Sequence, residues 1–158
     1  MTDFTSSIAR DFSRYYQVAA KKILVLLEPL SDDQIWTRPY PYGNSIGHLL
    51  LHLTGNLNFY IGEEISGTGY VRDRALEFSA PVRHPKQELL AKFDAAITTV
   101  TAALQKQSEH DWATPYTAKG MEDAGDRFYV FLHCAAHISH HTGQIIYLVK
   151  EIQRQSAA

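Results

Sequence analysis

The sequence predicts an all-α protein, a bundle of four helices, and three observations support this prediction. Apolar residues recur at three- and four-residue steps through four long segments, the spacing that places them on one face of a helix. All six prolines fall between these segments or at the start of one. No strand-like alternation persists anywhere, and no internal repeat or second domain is evident. We therefore expect a single helical-bundle domain over residues 1–158.

The first two long helices have clear boundary signals. Residues 3–28 form the first helix, and a proline follows it. Residues 31–34 (SDDQ) are typical of a capping box that opens one short helical turn. The second helix begins after Asn44 or Ser45, either of which can serve as the N-cap, and it runs to about Ile65.

The second half of the chain alternates long loops with helices. Residues 66–84 contain two glycines, a proline and little periodicity, which predicts a long crossover loop between helices two and three. Helix three starts at Pro85 and ends near Gln107. Residues 108–125 form a polar loop, and helix four covers about 126–154. A long crossover at this place favours an up-down-down-up order of the helices.

Composition excludes several classes of protein. The 158 residues are 45% hydrophobic and 20% charged, with a net charge of −2, as in an ordinary globular domain. No block of Lys or Arg interleaves with aromatic residues, so we expect no nucleic-acid partner. No apolar run is long enough to span a bilayer, and no signal peptide is evident, so we expect no membrane partner. With Cys134 as the single cysteine, a cytoplasmic location is expected.

Histidine is the residue type that stands out. Six of the eight histidines fall on helices two and four: His48 and His52, four residues apart, and His133, His137, His140 and His141. Two histidines four residues apart can point at one ion, and a third from a facing helix leaves one coordination position open, as in catalytic zinc sites. A histidine on an apolar face is more often a satisfied polar residue, but pairs on two helices strengthen the metal hypothesis. Spacing alone does not choose between His48 and His52, nor between His133/His137 and His137/His141.

Two stretches resemble those of the DinB/YfiT-like superfamily of metal-dependent bundle proteins. They are residues 44–47 (NSIG) leading to 52–56 (HLTGN), and residues 137–145 (HISHHTGQI). The order of helices and the long crossover are also similar. The resemblance implies that one histidine of helix two and an H-x-x-x-H pair of the last helix bind the metal. These ligands fall on His52, His137 and His141.

The resemblance also implies an activity and a cofactor. Better-understood members look like transferases or isomerases that use a low-molecular-weight thiol, such as mycothiol or bacillithiol. It therefore implies a thiol-dependent S-transferase or isomerase that acts on small electrophiles, working as a homodimer. Three imidazoles suit zinc, nickel, copper, iron or cobalt, and zinc or nickel is the expected ion. A dication held by neutral imidazoles would strongly lower the pKa of a bound thiol or water.

Two further residues are candidates for cofactor binding. Asn56 follows His52 by one turn and Gln144 follows His141 by three residues, so either can hydrogen-bond a ligand or substrate; capping or packing is the alternative. No catalytic side chain is assigned, because the chemistry would run through metal-bound water or thiolate. Gly143 is expected to allow close approach of a neighbouring helix.

Two alternative functions use the same three histidines. One is metal-dependent hydrolysis by bound hydroxide, which would not require a thiol. The other is a non-catalytic metal- or ligand-binding stress protein, which predicts a closed coordination shell with His48 or His133 as fourth ligand. A catalytic metal should instead face a pocket, with Tyr60 or a residue of the 66–84 crossover near its rim.

Overall fold

The computed structural model describes residues 4–79 and 83–157 and confirms the all-α prediction. The long helices are α1 (Phe4–Leu27), α3 (Ile46–Leu57), which continues as a π-helical segment (Asn58–Glu63), α5 (Lys86–Gln105) and α7 (Arg127–Ser156). The short helices are α2 (Asp32–Trp36), α4 (Arg74–Ser79) and α6 (Glu109–Trp112). Two strands of two residues each, β1 (Pro115–Tyr116) and β2 (Gly125–Asp126), complete the fold. In the described part of the chain, no helix has the length and apolar character needed to cross a membrane.

Side-chain caps set the starts of several helices. The Ser31 hydroxyl accepts from the backbone N–H of Gln34, whose side chain accepts in return from the Ser31 N–H, so the predicted capping box is confirmed. Ser45, and not Asn44, caps α3. Asp126 caps α7 by accepting from a backbone N–H in its first turn. Each cap satisfies a donor that a helix start would otherwise leave unpaired.

The crossover over 66–84 is not a continuous loop, and the prediction is wrong for residues 74–79. These six residues form α4, which begins because the Asp73 carboxylate accepts from the N–H groups of Ala75 and Leu76. A helix this short has no room for the apolar periodicity on which helix prediction depends. Residues 80–82 of the predicted crossover lie outside the described residues.

The loop over 108–125 is also more regular than predicted. It contains α6, which starts with a reciprocal capping box between Ser108 and Asp111. Strands β1 and β2 pair in antiparallel fashion, with Pro115 opposite Asp126 and Tyr116 opposite Gly125. This strand pair was not predicted from the sequence, and it leaves the all-α prediction intact. Two-residue strands are too short to produce an alternating pattern.

Each of α1 and α3 packs against both α5 and α7, and the apolar faces of these four helices enclose one core. At one end, the Lys86 ammonium at the start of α5 donates to the carbonyls of Leu27, Glu28 and Leu30, where α1 finishes. Near the start of α7, the buried Tyr16 hydroxyl donates to the Phe131 carbonyl at 2.7 Å, which joins α1 to α7. These contacts are compatible with the up-down-down-up order, which stays a prediction.

Two helical glycines have opposite surroundings. A Cβ built on Gly47 would lie 2.7 Å from the ring of Trp36, which is itself held by a hydrogen bond to the His84 carbonyl. Gly47 thus allows α2 to lie against α3. A Cβ built on Gly143 would meet nothing within 4 Å, so the expectation that Gly143 permits close helix approach is wrong.

This difference predicts opposite effects of two matched substitutions. Gly47→Ala should lower the free energy of unfolding by about 1–3 kcal/mol, because the large Trp36 ring must move. Gly143→Ala should leave it unchanged or raise it by about 0.5–1 kcal/mol, because alanine favours a helix interior. Urea denaturation followed by circular dichroism measures both. Equal effects of the two substitutions would contradict the packing described for α2.

Candidate metal centre

Three imidazole rings meet where α3 faces α7. The Nε2 atom of His137 lies 3.2 Å from Nε2 of His52 and 2.8 Å from Nε2 of His141. His137 and His141 are one turn apart on α7, and His52 lies opposite them on α3, so one ligand comes from one helix and two from the other. One ring nitrogen from each of the three histidines lies within 4.8 Å of a ring nitrogen of each of the other two.

Hydrogen bonds at the outer nitrogens orient two of these rings. His52 donates from Nδ1 to the Glu77 carboxylate at 2.8 Å, because an ionised carboxylate can only accept. The Nδ1 atom of His141 lies 2.7 Å from the side-chain carbonyl oxygen of Gln144, which can also only accept. With a proton on each Nδ1, the Nε2 atoms of both rings keep their lone pairs and direct them toward the same point.

The donor set fits a divalent metal ion. The nitrogen separations of 2.8 and 3.2 Å approach the roughly 3.3 Å expected between ligands of a tetrahedral zinc ion with bonds of about 2.0–2.1 Å. Lone pairs that face one another repel unless a proton or a cation lies between them. Outer-nitrogen hydrogen bonds to a carboxylate and to an amide are the second contacts that metal-binding histidines typically make. The three rings therefore have the right atoms and spacing to hold such an ion, and His52 and His141 also have the right tautomer. The Nδ1 atom of His137 is buried without a hydrogen-bond partner among the described residues.

Glu77 belongs to a buried hydrogen-bond network of charged side chains that sequence reasoning missed. Arg72 donates from Nε to Glu77 at 2.6 Å and from Nη2 at 3.0 Å, and both side chains are over 90% buried. Burial by itself would raise the pKa of Glu77. Hydrogen bonds from His52 and Arg72 outweigh this effect, so the pKa of Glu77 is lowered and the carboxylate stays ionised.

The sequence does contain one signal for this contact, at Gly55. Glycine destabilises a helix interior, so its presence in the last turn of α3, where the chain continues into the π-helical segment, requires a reason. A Cβ built on Gly55 would overlap the Oε1 atom of Glu77. The glycine thus makes room for a carboxylate that lies 22 positions further along the chain, and only the folded structure identifies that partner.

The imidazoles of His137 and His141 are held in the neutral form that binds metals. Burial, together with the neighbouring His141 and His52 rings, lowers the pKa of His137 to about 3. Burial also lowers the pKa of His141, although its hydrogen bond to Gln144 opposes the shift. A neutral ring does not need to lose a proton before it binds a cation.

The centre lies on the wall of an open cavity of about 880 Å³. The predicted rim residues line it: Tyr60 of the π-helical segment and residues 71–75 of the crossover. Asn56 lines the same cavity, and its Oδ1 atom is buried without a hydrogen-bond partner among the described residues. Gln144 does not line the cavity and instead contacts His141.

The other helical histidines lie outside the triad. His48 lies against Trp36 and its Nδ1 contacts the Ser45 hydroxyl at 2.6 Å. His133 is an exposed residue of the cavity lining, and His140 is exposed beside Gln144. Within residues 4–79 and 83–157, no fourth histidine, cysteine or carboxylate joins the group.

Comparison with known proteins identifies similarity at two levels. The family model described as the DinB superfamily matches residues 15–145. The solved structure titled "Crystal structure of the conserved protein of locus from Enterococcus faecalis" is similar with a TM-score of 0.74 and 16% sequence identity. That match covers 96% of this chain and 98% of the other. At this identity the structural similarity establishes the fold only, and the search of curated proteins gave no match.

The Glu77 contact predicts a specific loss of metal affinity. Glu77→Gln removes the charge that holds the Nδ1 proton of His52, so affinity should fall about 10- to 100-fold. Competition with a chromogenic chelator measures it. Glu64→Gln removes an exposed carboxylate at the end of the π-helical segment and should leave affinity unchanged. Equal affinities of the two variants would show that Glu77 does not orient His52.

Neutral His137 also predicts how the metal-free protein responds to acid. Between pH 6.5, the ordinary histidine pKa, and about pH 3, the unfolded chain binds a proton that the folded protein does not. The free energy of unfolding should therefore fall as pH is lowered through this window. Urea denaturation in the presence of chelator should show a weaker pH dependence for His137→Asn than for the wild type. His110→Asn, at an exposed site, should retain the wild-type dependence, and an unchanged slope for His137→Asn would contradict the assignment.

Proposed function

This chain belongs to the DinB superfamily, and from that premise we propose that it is a divalent-metal-dependent enzyme with His52, His137 and His141 as the ligands. The observation that carries the proposal is the convergence of three Nε2 atoms beside an open cavity, which His52 and His137 line. Three protein ligands leave a position for a small molecule, and the cavity provides its path. Zinc or nickel is the proposed ion.

The proposed reaction is transfer of a low-molecular-weight thiol to a small electrophile, or a thiol-dependent isomerisation. The resemblance to thiol-using members of the superfamily supports this choice. A divalent cation at this site supplies a lowered pKa for a thiol that binds beside it, which favours the nucleophilic thiolate. The chain's single cysteine, Cys134, is buried, and burial raises the pKa of its thiol to about 12. The reacting thiol must therefore come from another molecule.

The chain's own residues hold the site in its working geometry. Glu77 and Gln144 accept from the outer nitrogens of His52 and His141 and so keep both lone pairs directed inward. Phe78 packs against the His52 ring, with 4.9 Å between ring centroids, and limits its rotation. Asn56 lines the cavity one turn beyond His52, and we propose that its amide contacts the bound small molecule.

The arrangement favours turnover over a purely structural metal. A closed shell would need a fourth protein ligand, and His48 and His133 were the sequence candidates. The Nδ1 atom of His48 contacts Ser45, and His133 is an exposed residue whose ring centroid lies 6.1 Å from that of His137. The expected homodimer and the cytoplasmic location stay predictions.

The decisive experiment combines elemental analysis with an assay for thiol dependence. The purified protein should carry one divalent metal per chain, and its reaction with a generic electrophile should require an added thiol. Removal of the metal with a chelator should abolish this reaction, and adding the ion back should restore it. Conversion of an ester substrate without any thiol would instead identify a hydrolase.

Substitution of His52 tests the ligand assignment. His52→Ala should abolish metal retention and thiol transfer, because two nitrogens cannot hold the ion. Most helical content should remain, because the apolar core does not depend on this ring. The matched variant His48→Ala should keep its metal. Full metal occupancy and activity in His52→Ala would show that a different set holds the ion, and complete unfolding of that variant would favour a structural metal.

A further inference from the structure

The cavity beside the metal centre carries an unbalanced positive charge. Its charged lining residues are three cations and one anion: Arg72, Arg74, Lys119 and Asp73. Arg72 is neutralised, because its guanidinium donates twice to the buried carboxylate of Glu77. Arg74 and Lys119 therefore determine how the cavity receives a charged molecule.

Within the described part of the chain, neither of these two cations has an acidic partner. Among residues 4–79 and 83–157, no ion pair involves Arg74 or Lys119. The acidic lining residue, Asp73, uses its Oδ1 atom to accept two N–H groups at the start of α4. Its charge is thereby partly satisfied by the helix.

Neighbouring contacts place both cations on supported parts of the cavity wall. The Arg74 guanidinium lies over the Phe78 ring, 5.8 Å from its centroid, and Phe78 in turn packs against the metal-site residue His52. The backbone carbonyl of Lys119 accepts a hydrogen bond from the Tyr60 hydroxyl at 3.2 Å. The cations thus come from two separate segments, the crossover and the loop before α7, that line the same cavity.

Resting on the proposed function, we propose that the thiol used by this protein carries a carboxylate, which Arg74 and Lys119 bind while the sulfur lies at the three histidines. Both cations are exposed to the solvent of the cavity, and a neutral thiol would gain no ionic attraction from either of them. Charge-assisted hydrogen bonds to a carboxylate are stronger than those to a neutral amide. The cavity should therefore discriminate by charge between thiols of the same length.

A matched pair of thiols tests this inference by spectroscopy, without any assay of turnover. 3-Mercaptopropionate and 3-mercaptopropanamide have the same length and differ by one negative charge. Titration of the cobalt-substituted protein with each, followed by the thiolate-to-cobalt absorption band, measures two dissociation constants. We expect the acid to bind about tenfold more tightly than the amide, equivalent to about 1.4 kcal/mol.

Two double variants of equal net charge identify the residues responsible. Arg74→Gln with Lys119→Gln should reduce the preference to within about twofold and leave binding of the neutral thiol unchanged. Arg14→Gln with Lys106→Gln removes two exposed cations outside the cavity and should keep the tenfold preference. Equal binding of acid and amide by the wild type, or an unchanged preference in the cavity variant, would overturn the inference while the proposed function stands.

A metal-free measurement separates this inference from the proposed function. If neither thiol changes the cobalt spectrum, the proposed thiol binding at the metal is wrong. Propionate and propionamide then test whether Arg74 and Lys119 bind a carboxylate. Propionate should shift the backbone amide NMR signals of residues 119–121 in the wild type but not in the cavity double variant, and propionamide should shift neither. No shift with propionate in the wild type would overturn the anion site as well.

Discussion

The hydrogen bond between His52 and Glu77 is the contact on which the site depends. It joins a histidine of α3 to the crossover, and Arg72 completes the pairing of a carboxylate that is almost fully buried. A buried charge that loses its partner costs several kcal/mol, so this segment of the crossover cannot move away without leaving an uncompensated ion. One contact therefore orients the His52 imidazole and holds a wall of the cavity.

The segment that carries Glu77 contributes to the cavity in two ways. Near the histidines, Glu77 keeps the His52 lone pair directed toward His137. Further out, the segment that carries Glu77 also carries Arg74, whose charge is not used by any internal ion pair of the described residues. The crossover thus links the orientation of the proposed ligand to the charge that an entering molecule meets.

The bundle itself is a rigid support for this site and does not specify its chemistry. Helices α1 and α5 pack on the two helices that carry the histidines, and the Tyr16 hydroxyl joins α1 to the first turns of α7. The same frame occurs in a solved structure with 16% sequence identity, which shows how little sequence the frame requires. Function must accordingly be argued from the side chains at the site.

By itself, the sequence determined the features that depend on near neighbours in the chain. Helical periodicity located the four long helices, and cap residues such as Ser31 marked helix starts, because both signals lie within a few positions. The same local reasoning placed pairs of histidines on two helices but could not choose among them; only resemblance to a family named His52, His137 and His141. Packing decided what local patterns cannot encode: His52 meets His137 from 85 positions away and Glu77 from 25 positions away. The short helix α4 escaped sequence reasoning because six residues are too few to show apolar periodicity. Arg72 and Glu77 are only five positions apart, but their burial, which distinguishes them from an ordinary surface pair, becomes visible only in the folded structure.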